Sequence, residues 1–287
     1  MRNLGYYNGE IGLIEDMKIP MTDRGFYFGD GLYDAAYTRN HVIYALDEHI
    51  ERFYAGLERL EIAPPMAPDA LRQLLCELVL RVDDGEQFVY WQATRGSGLR
   101  DHAFLPSDVP SNLAVMLRPM KIKDVYRPIR LVSAPDKRYL YCNVKTLSLL
   151  PSVLTAQAAR RAGVDECVMH RDGRVTECSH SNISILKDGV FITPPSDEYI
   201  LAGVGRAHLM DACHTLGIPV QMRPFTMQEL QDADEIIVSS AGSLCLRVCE
   251  LDGKAVGGRD EARLARLRDR VVNDWLQKTE PSAAQIQ

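Results

Sequence analysis

A single lysine in an apolar segment is the first candidate for chemistry. The chain has eight lysines against 25 arginines, and Lys145 lies near the end of residues 139–147. Alternation and β-branching in this segment predict a strand whose end presents the amine inward. A partly desolvated amine has a lowered pKa and can form a Schiff base with a carbonyl compound. From the segment alone, a strand-end lysine with its ammonium group in solvent is the simpler interpretation.

A carboxylate beside small hydrogen-bonding residues is the second candidate. Glu177 lies on the predicted return arm of a hairpin and is followed by Cys178, Ser179, His180 and Ser181. A carboxylate among such donors can pair with a pyridinium nitrogen, which makes the ring a better electron sink. A carboxylate on a surface turn, without a role in binding, is the simpler interpretation.

Two segments of small residues are candidate phosphate sites. Val204 and Gly205 belong to a Gly-Val-Gly-Arg sequence before a helical pattern, and the free N–H groups of a helix start can bind phosphate. Ser240 and Ala241 follow an apolar strand in the second segment. The first segment lacks the third glycine and the acidic residue of a nicotinamide-binding fingerprint. A plain junction between a loop and a helix stays open as an alternative.

Candidate anion-binding cations occur at two places. Arg52 lies on a predicted helix among apolar residues and is a candidate counter-charge for phosphate, although a surface arginine is the default. Arg100 and His102 are two residues apart in a glycine-rich loop, so their side chains can converge on one carboxylate. A solvated loop is the simpler interpretation of that pattern.

These residues must be positioned by elements of an α+β fold. The first part predicts strands at 32–38, 42–45, 88–94 and 113–117, a helix capped by Asp47 and a helix that opens near Pro68. The second part predicts strands at 129–134, 166–170, 175–177, 182–186, 190–193, 235–239 and 244–251, and helices at 152–162, 206–216, 226–230 and 259–277. Residues 118–128 are polar and bounded by prolines, which predicts domains at 1–120 and 121–287. The mixed order argues against a doubly wound nucleotide-binding fold.

Composition excludes several classes of protein. The chain has 287 residues, of which 46% are apolar and 25% charged, as in ordinary globular proteins. Its net charge of -6 repels phosphate backbones and anionic lipids, so neither nucleic acid nor a membrane is an expected partner. It has no apolar run of about 18 residues and no start like a signal peptide, which predicts a cytoplasmic protein. The seven cysteines contain no C-x-x-C pair, so neither a metal site nor a disulfide framework is predicted.

Taken together, these segments resemble the fold-type IV pyridoxal-phosphate enzymes, and most closely the D-amino-acid aminotransferases. The resemblance runs over nearly the whole chain through residues 23–34, 48–54, 94–102, 145–150, 170–182 and 199–203. It implies a smaller N-terminal domain and a larger C-terminal domain that carries the lysine, with pyridoxal 5'-phosphate in the cleft between them. It also implies a homodimer.

The resemblance implies a role for each candidate residue. Lys145 looks like the Schiff-base lysine and proton shuttle, and Glu177 like the partner of the pyridine nitrogen. Residues that match the cofactor's phosphate and ring-face contacts are Arg52, Val204, Gly205, Ser240, Ala241 and Leu201. Tyr33, Arg100 and His102 match the family's trap for the carboxylate of a D-amino acid, and branched-chain aminotransferases of the same fold lack that loop.

The implied reaction is a ping-pong transamination between D-alanine-like amino acids and 2-oxo acids such as 2-oxoglutarate. The chain departs from the family pattern at Cys178 and His180, and Gly205 and Ala241 lack the hydroxyl that relatives often supply. Alternatives on the same fold are a branched-chain or R-amine aminotransferase and a 4-amino-4-deoxychorismate-type lyase. A non-catalytic carrier of the cofactor or a structural dimer module is the alternative from another class.

Overall fold

The fold is described from a computed structural model, which describes residues 2–281 and divides into two compact units. Unit 1 comprises residues 2–121, 144–148 and 275–281, and unit 2 comprises residues 122–143 and 149–274. The predicted boundary after residue 120 lies within one residue of the first change of unit. The sequence placed Lys145 in the second domain, whereas Lys145 belongs to unit 1, and the last six residues of that predicted domain, 282–287, lie outside the described residues.

Unit 1 is built on a six-stranded antiparallel sheet. Its elements are β1 (Leu4–Tyr7), β2 (Glu10–Gly12), a 3-10 turn (Ile14–Asp16), α1 (Arg24–Phe28), β3 (Gly31–Arg39), β4 (Val42–Ile43), α2 (Leu46–Arg59), α3 (Pro68–Val79), β5 (Gln87–Thr94) and β6 (Asn112–Pro119). The strands lie in the order β2-β1-β6-β5-β3-β4. The predicted strands and both predicted helices of this part are confirmed.

The core of unit 1 forms where helices α2 and α3 cover the sheet. Phe53 and Leu57 recur one turn apart on α2, as Leu71 and Leu75 do on α3, and all four are buried. They belong to one cluster with Trp91 of β5, whose ring centroid lies 6.2 Å from that of Phe53. This packing fixes β3, which carries several candidate site residues.

A short segment, residues 144–148, joins unit 1 by pairing with the first residues of β3. The Tyr33 N–H donates to the Lys145 carbonyl at 2.9 Å, and the Leu147 N–H donates to the Gly31 carbonyl at 3.0 Å. These main-chain bonds explain why Lys145 belongs to unit 1. The strand predicted over residues 139–147 is wrong, because only an isolated bridge at Thr146 forms there.

Unit 2 carries the second sheet. Its elements are β7 (Ile129–Pro135), α4 (Leu150–Ala162), β8 (Glu166–Arg171), β9 (Arg174–Cys178), β10 (Asn182–Lys187), β11 (Val190–Thr193), α5 (Val204–Thr215), β12 (Val220–Met222), α6 (Met227–Gln231), β13 (Glu235–Ser239), β14 (Leu246–Leu251), β15 (Lys254–Ala255) and α7 (Glu261–Lys278). The order is β12-β11-β10-β13-β14-β7-β8-β9, with β15 on β14. The end of α7 is assigned to unit 1.

The hairpin of β8 and β9 has the turn that its sequence predicts. Asp172 and Gly173 both have positive φ, 50° and 81°, as a tight two-residue hairpin turn requires. The turn fixes the register of β9, which is the edge strand that carries Glu177. The edge of this sheet is therefore the element that positions the candidate carboxylate.

The predicted cap of helix α2 is wrong. Ala45 is the N-cap residue, with φ of 53° and no capping side chain, and Asp47 lies in the first turn. The Asp47 carboxylate instead accepts a hydrogen bond from Arg72 Nε on α3 at 2.9 Å. Within residues 2–281, none of the helices is both long enough and apolar enough to span a membrane.

Candidate active site

Lys145 is held against an aromatic ring of unit 1. Its side chain is half-buried, and Nζ lies 4.4 Å from the centroid of the Tyr33 ring. The Tyr33 ring in turn stacks on Tyr90 of β5 at 5.2 Å. Since the main chain of Lys145 is bonded to the Tyr33 N–H, both the backbone and the amine of the lysine have defined positions.

The opposite face of β3 carries a buried charge network that the sequence analysis did not identify. Asp34 is fully buried, and its carboxylate accepts hydrogen bonds from Arg52 Nε at 2.9 Å and from Arg52 Nη2 at 2.7 Å. Nδ1 of His49 lies 2.8 Å from Asp34 Oδ1. Arg52 is thus oriented by a bidentate bond from α2 to β3, which predicts a fixed direction for its guanidinium.

The surroundings of Asp34 and His49 determine the ionisation states of the groups in this network. Burial alone raises the pKa of Asp34, but the Arg52 charge and the His49 hydrogen bond hold that pKa well below its ordinary range. Burial lowers the pKa of His49, and the charges of Arg52 and Lys145 lower it further against the opposing effect of Asp34. The network therefore contains a carboxylate, a guanidinium and a neutral imidazole at neutral pH.

The loop with Arg100 and His102 is anchored on one ring of α1. The Arg100 guanidinium lies 4.9 Å from the centroid of Phe28, and the His102 ring lies 5.2 Å from it. The two predicted carboxylate-binding side chains are thus brought together. No hydrogen bond or ring contact joins them to Tyr33 within the described part of the chain.

Arg24 fixes the backbone of this loop, and the sequence analysis missed it. Its buried guanidinium donates to the carbonyls of Asp101 at 2.7 Å and Ala103 at 3.0 Å, on both sides of His102. Its Nε donates to Asp30 at 2.7 Å. Since a guanidinium holds several acceptors in one plane, Arg24 sets the position from which His102 projects.

In unit 2, Glu177 is a buried carboxylate whose two oxygens both accept hydrogen bonds. Oε2 accepts from Asn182 Nδ2 at 3.0 Å and from the Leu201 N–H at 3.1 Å. Oε1 accepts from Arg138 Nη1. Leu201 is therefore tied to Glu177 through its backbone, and its side chain stays available for contact with a ring.

Arg138 is a further residue that the sequence analysis missed. It is anchored by the Asp136 carboxylate, to which Nε donates at 3.0 Å and Nη2 at 2.8 Å, and by the Tyr199 carbonyl at 2.9 Å. Asp136 also accepts from the Thr176 hydroxyl at 2.9 Å. The neighbour of Glu177 is thus a rigid cation.

The start of helix α5 forms a cradle for an anion. Gly203 is the N-cap residue and supplies no capping side chain, so the first N–H groups, at Val204 and Gly205, point out of the helix. A Cβ atom at Gly205 would lie 2.9 Å from the Ser240 carbonyl oxygen, which explains why glycine replaces the expected hydroxyl residue. The Ser240 hydroxyl lies 2.7 Å from that of Ser243, and Ala241 is half-buried beside it.

His180, a departure from the family pattern, pairs with a buried carboxylate. Nδ1 of His180 lies 2.9 Å from Glu166 Oε2, and the Ser179 and Ser181 hydroxyls donate to the same carboxylate. Burial raises the pKa of Glu166, but the bonds from His180 and Ser179 outweigh it and lower the pKa from 4.5 to about 2. The loop between β9 and β10 is therefore closed by a titratable contact.

We expect this contact to stabilise the protein above pH 4.5. The folded-state pKa of Glu166 lies below its ordinary value, so the stabilisation is complete above about pH 4.5 and disappears as the pH falls through about 2. The shift corresponds to roughly 3 kcal/mol. Urea unfolding of Glu166→Gln should show a flatter dependence on pH over that window, whereas the exposed control Glu10→Gln should follow the unaltered chain. Parallel curves for Glu166→Gln and the unaltered chain would contradict the assignment.

Each unit thus assembles part of the predicted set. Unit 1 positions Tyr33, Arg52, Arg100, His102 and Lys145, and unit 2 positions Glu177, Leu201, Val204, Gly205, Ser240 and Ala241. Among the missed residues, Asp34 is a charged residue inside the predicted strand at 32–38, which is a weak signal, whereas Arg24 and Arg138 lie outside every predicted helix and strand.

Comparison with known proteins identifies relatives over most of the chain. The family model for amino-transferase class IV matches residues 31–251. A D-alanine aminotransferase of Listeria monocytogenes serotype 4b (strain F2365) is 35% identical over 269 residues, which cover 92% of this chain and 93% of the relative. A D-alanine aminotransferase of Bacillus licheniformis is 32% identical over 255 residues, or 88% of this chain and 89% of the relative.

Solved structures share the fold. The branched-chain aminotransferase of Thermoproteus uzoniensis with norvaline superposes with a TM-score of 0.87 at 22% identity, and the match covers 96% of both chains. The branched-chain aminotransferase of Escherichia coli gives a TM-score of 0.86 at 19% identity and covers 99% of this chain and 98% of that chain. At such identities the likeness shows a common fold and carries no information on the substrate.

Proposed function

The chain belongs to the class IV aminotransferases, and from that premise we propose that it transfers the amino group between D-amino acids such as D-alanine and 2-oxo acids such as 2-oxoglutarate. The observation that carries the proposal is the pair of Arg100 and His102 on Phe28, because these side chains supply a cation and a hydrogen-bonding ring for a substrate carboxylate. The relatives named as D-alanine aminotransferases support the same substrate class.

The cofactor is pyridoxal 5'-phosphate, and the residues present fit it. The uncapped start of α5 suits a phosphate, and Gly205 leaves room that a side chain would fill. We propose Arg52, Val204, Gly205, Ser240 and Ala241 as the phosphate-binding residues. Since Arg52 is already oriented by Asp34, it would bind phosphate without losing further freedom.

The ring contacts follow from the geometry of Glu177. Its carboxylate would accept a hydrogen bond from a protonated ring nitrogen, and Leu201, bonded to it through the backbone, would contact the ring face. When bound, pyridoxal phosphate supplies a carbonyl group for the amine and an electron sink for the negative charge left at Cα.

Lys145 is the residue that moves the proton. Its Nζ is held near Tyr33, where a neutral amine can accept the proton that leaves Cα of the amino acid and return it in the next step. Arg100, His102 and Tyr33 would bind the carboxylate and so determine which face of Cα meets this amine. Because one oxo acid leaves before the next binds, the kinetics are expected to be ping-pong.

Absorbance spectroscopy of the purified protein tests the proposal. The protein is loaded with pyridoxal phosphate, and the visible band of the bound cofactor is recorded before and after D-alanine and, separately, L-leucine are added. Loss of the band with D-alanine, and formation of D-glutamate from 2-oxoglutarate, are the expected results. Loss with L-leucine alone would support a branched-chain aminotransferase, whereas elimination without an amino acceptor would support a lyase. A band that no amino acid changes would indicate a carrier of the cofactor without activity.

Arg24→Lys is expected to weaken substrate binding. Lysine keeps the charge but cannot hold the carbonyls on both sides of His102, so KM for D-alanine should rise about tenfold while kcat and the cofactor absorbance change little. Arg39→Lys is the matched control, because Arg39 bonds the Leu276 carbonyl and lies over Trp275, at the far end of β3. Equal KM values for both variants would show that Arg24 does not position the loop.

We further propose that the protein is a homodimer and acts in the cytoplasm. Exposed apolar side chains in two stretches of unit 2 support the dimer, namely Tyr139, Leu140 and Tyr141 in the first and Leu149, Leu150, Val153 and Leu154 in the second. The seven cysteines are all unpaired, which suits a reducing compartment. Sedimentation velocity at micromolar concentration tests the dimer.

A further inference from the structure

The hydrogen bonds of Glu177 leave little of its carboxylate unused. A carboxylate has about four lone-pair directions. Asn182 and the Leu201 N–H occupy both directions of Oε2, and Arg138 occupies one direction of Oε1. Donors on both oxygens therefore hold the carboxylate in one orientation.

The guanidinium of Arg138, which contacts Glu177, is held in one orientation by its other hydrogen bonds. Arg138 is almost fully buried and is anchored by both oxygens of Asp136 and by the Tyr199 carbonyl. Asp136 is in turn fixed by the Thr176 hydroxyl, and Arg171 Nη2 lies 3.5 Å from its Oδ1. Arg138 is thus preorganised to contact Glu177 whether or not another group is bound there.

We infer that Arg138 is a positioning residue that holds Glu177 in one orientation and offsets part of its negative charge, and that Asp136 limits this effect by sharing the same guanidinium. The inference rests on the proposed function, in which Glu177 binds the ring nitrogen of pyridoxal phosphate. Arg138 would touch neither substrate nor cofactor and would act only through Glu177.

The charges around Glu177 determine in which direction each substitution should shift the protonation of the cofactor. Asp136 and Glu177 share the Arg138 guanidinium, and Arg171 lies near Asp136, so the charge beside the ring nitrogen depends on each of these groups. Removing the cation makes the surroundings of the cofactor more negative and favours its protonated forms, and removing the Asp136 charge has the opposite effect. The other titratable or charged groups that face this cluster are Cys142, Arg171, Cys178 and Arg206.

A pH titration of the cofactor absorbance in the loaded protein tests the inference. In Arg138→Gln, the pH midpoint of the spectral change should rise by about one unit or more, and in Asp136→Asn it should fall. Shifts of opposite sign are the distinguishing result, because damage to the packing alone would move both variants the same way. Arg138→Lys, which retains the charge, should return the midpoint toward that of the unaltered chain.

Arg174→Gln is the matched control, because Arg174 lies on the same strand as Glu177 but pairs with Asp197. Its midpoint should equal that of the unaltered chain. If Arg138→Gln loses its fold, Asp136→Asn and Arg138→Lys decide the matter, since an unchanged midpoint in Asp136→Asn would overturn the inference. Shifts of equal sign would also overturn it. An unaltered chain with no cofactor band would overturn the proposed function and this inference with it, whereas a normal band with D-alanine turnover and no shift in either variant would overturn the inference alone.

Discussion

Lys145→Ala is expected to lower kcat for transamination of D-alanine by about 10⁴-fold, because the variant has no group to take the proton from Cα. The fold should survive the change. The main chain at this position is bonded to the Tyr33 N–H and does not depend on the side chain, and the contact of Nζ with the Tyr33 ring contributes only about 1 kcal/mol.

Three measurements separate a chemical loss from a structural one. Steady-state turnover gives the size of the loss, equilibrium dialysis gives retention of the cofactor, and thermal unfolding gives stability. Lys254→Ala, at an exposed lysine of β15, is the control and should match the unaltered chain in all three. A small primary amine added to Lys145→Ala should restore part of the rate, since it can carry the proton. Turnover near that of the unaltered chain would remove Lys145 from the mechanism.

Local patterns account for most of the elements of this fold. The spacing of apolar residues predicts α2, α3 and α4, and the Asp-Gly turn predicts the hairpin that carries Glu177. Such features depend on neighbours within one or two turns of the chain, so one sequence is enough to find them. The start of α2 shows the limit of such local patterns, because Asp47 looks like an N-cap residue but binds Arg72 of α3 instead.

Features that depend on distant residues were not predictable in the same way. The segment at Lys145 has the alternation of a strand, yet only its end pairs with β3, more than 100 residues earlier in the sequence. The charge of Asp34 is buried only because β3 and α2 pack together and bring Arg52 to it. Arg138 likewise looks like a surface arginine until β9 places Glu177 beside it. The resemblance to a family supplied the site residues but not the residues that orient them.

Arg100→Ala is expected to lower kcat/KM for D-alanine by about 10²- to 10³-fold, because a bidentate, charge-assisted contact to the substrate carboxylate is lost. The cofactor band should stay unchanged, since Arg100 lies on an exposed loop and contacts Phe28, not the proposed cofactor-binding residues. Arg118→Ala is a matched control, because Arg118 is also exposed and lies over a phenylalanine ring, that of Phe88.

A substrate without a carboxylate group tests whether the loss in Arg100→Ala comes from the contact with the substrate carboxylate. An amine without a carboxylate group, such as 1-phenylethylamine, should react equally slowly with Arg100→Ala and the unaltered chain, because the lost contact is absent from both reactions. His102→Ala should lower the D-alanine rate less than Arg100→Ala, since an imidazole makes one hydrogen bond where the guanidinium makes two. An equal loss with the amine would mean that the loop supports the fold of the site and not the carboxylate. Full D-alanine activity in Arg100→Ala would mean that another cation binds the substrate carboxylate. The main argument for a D-amino-acid substrate would then no longer hold.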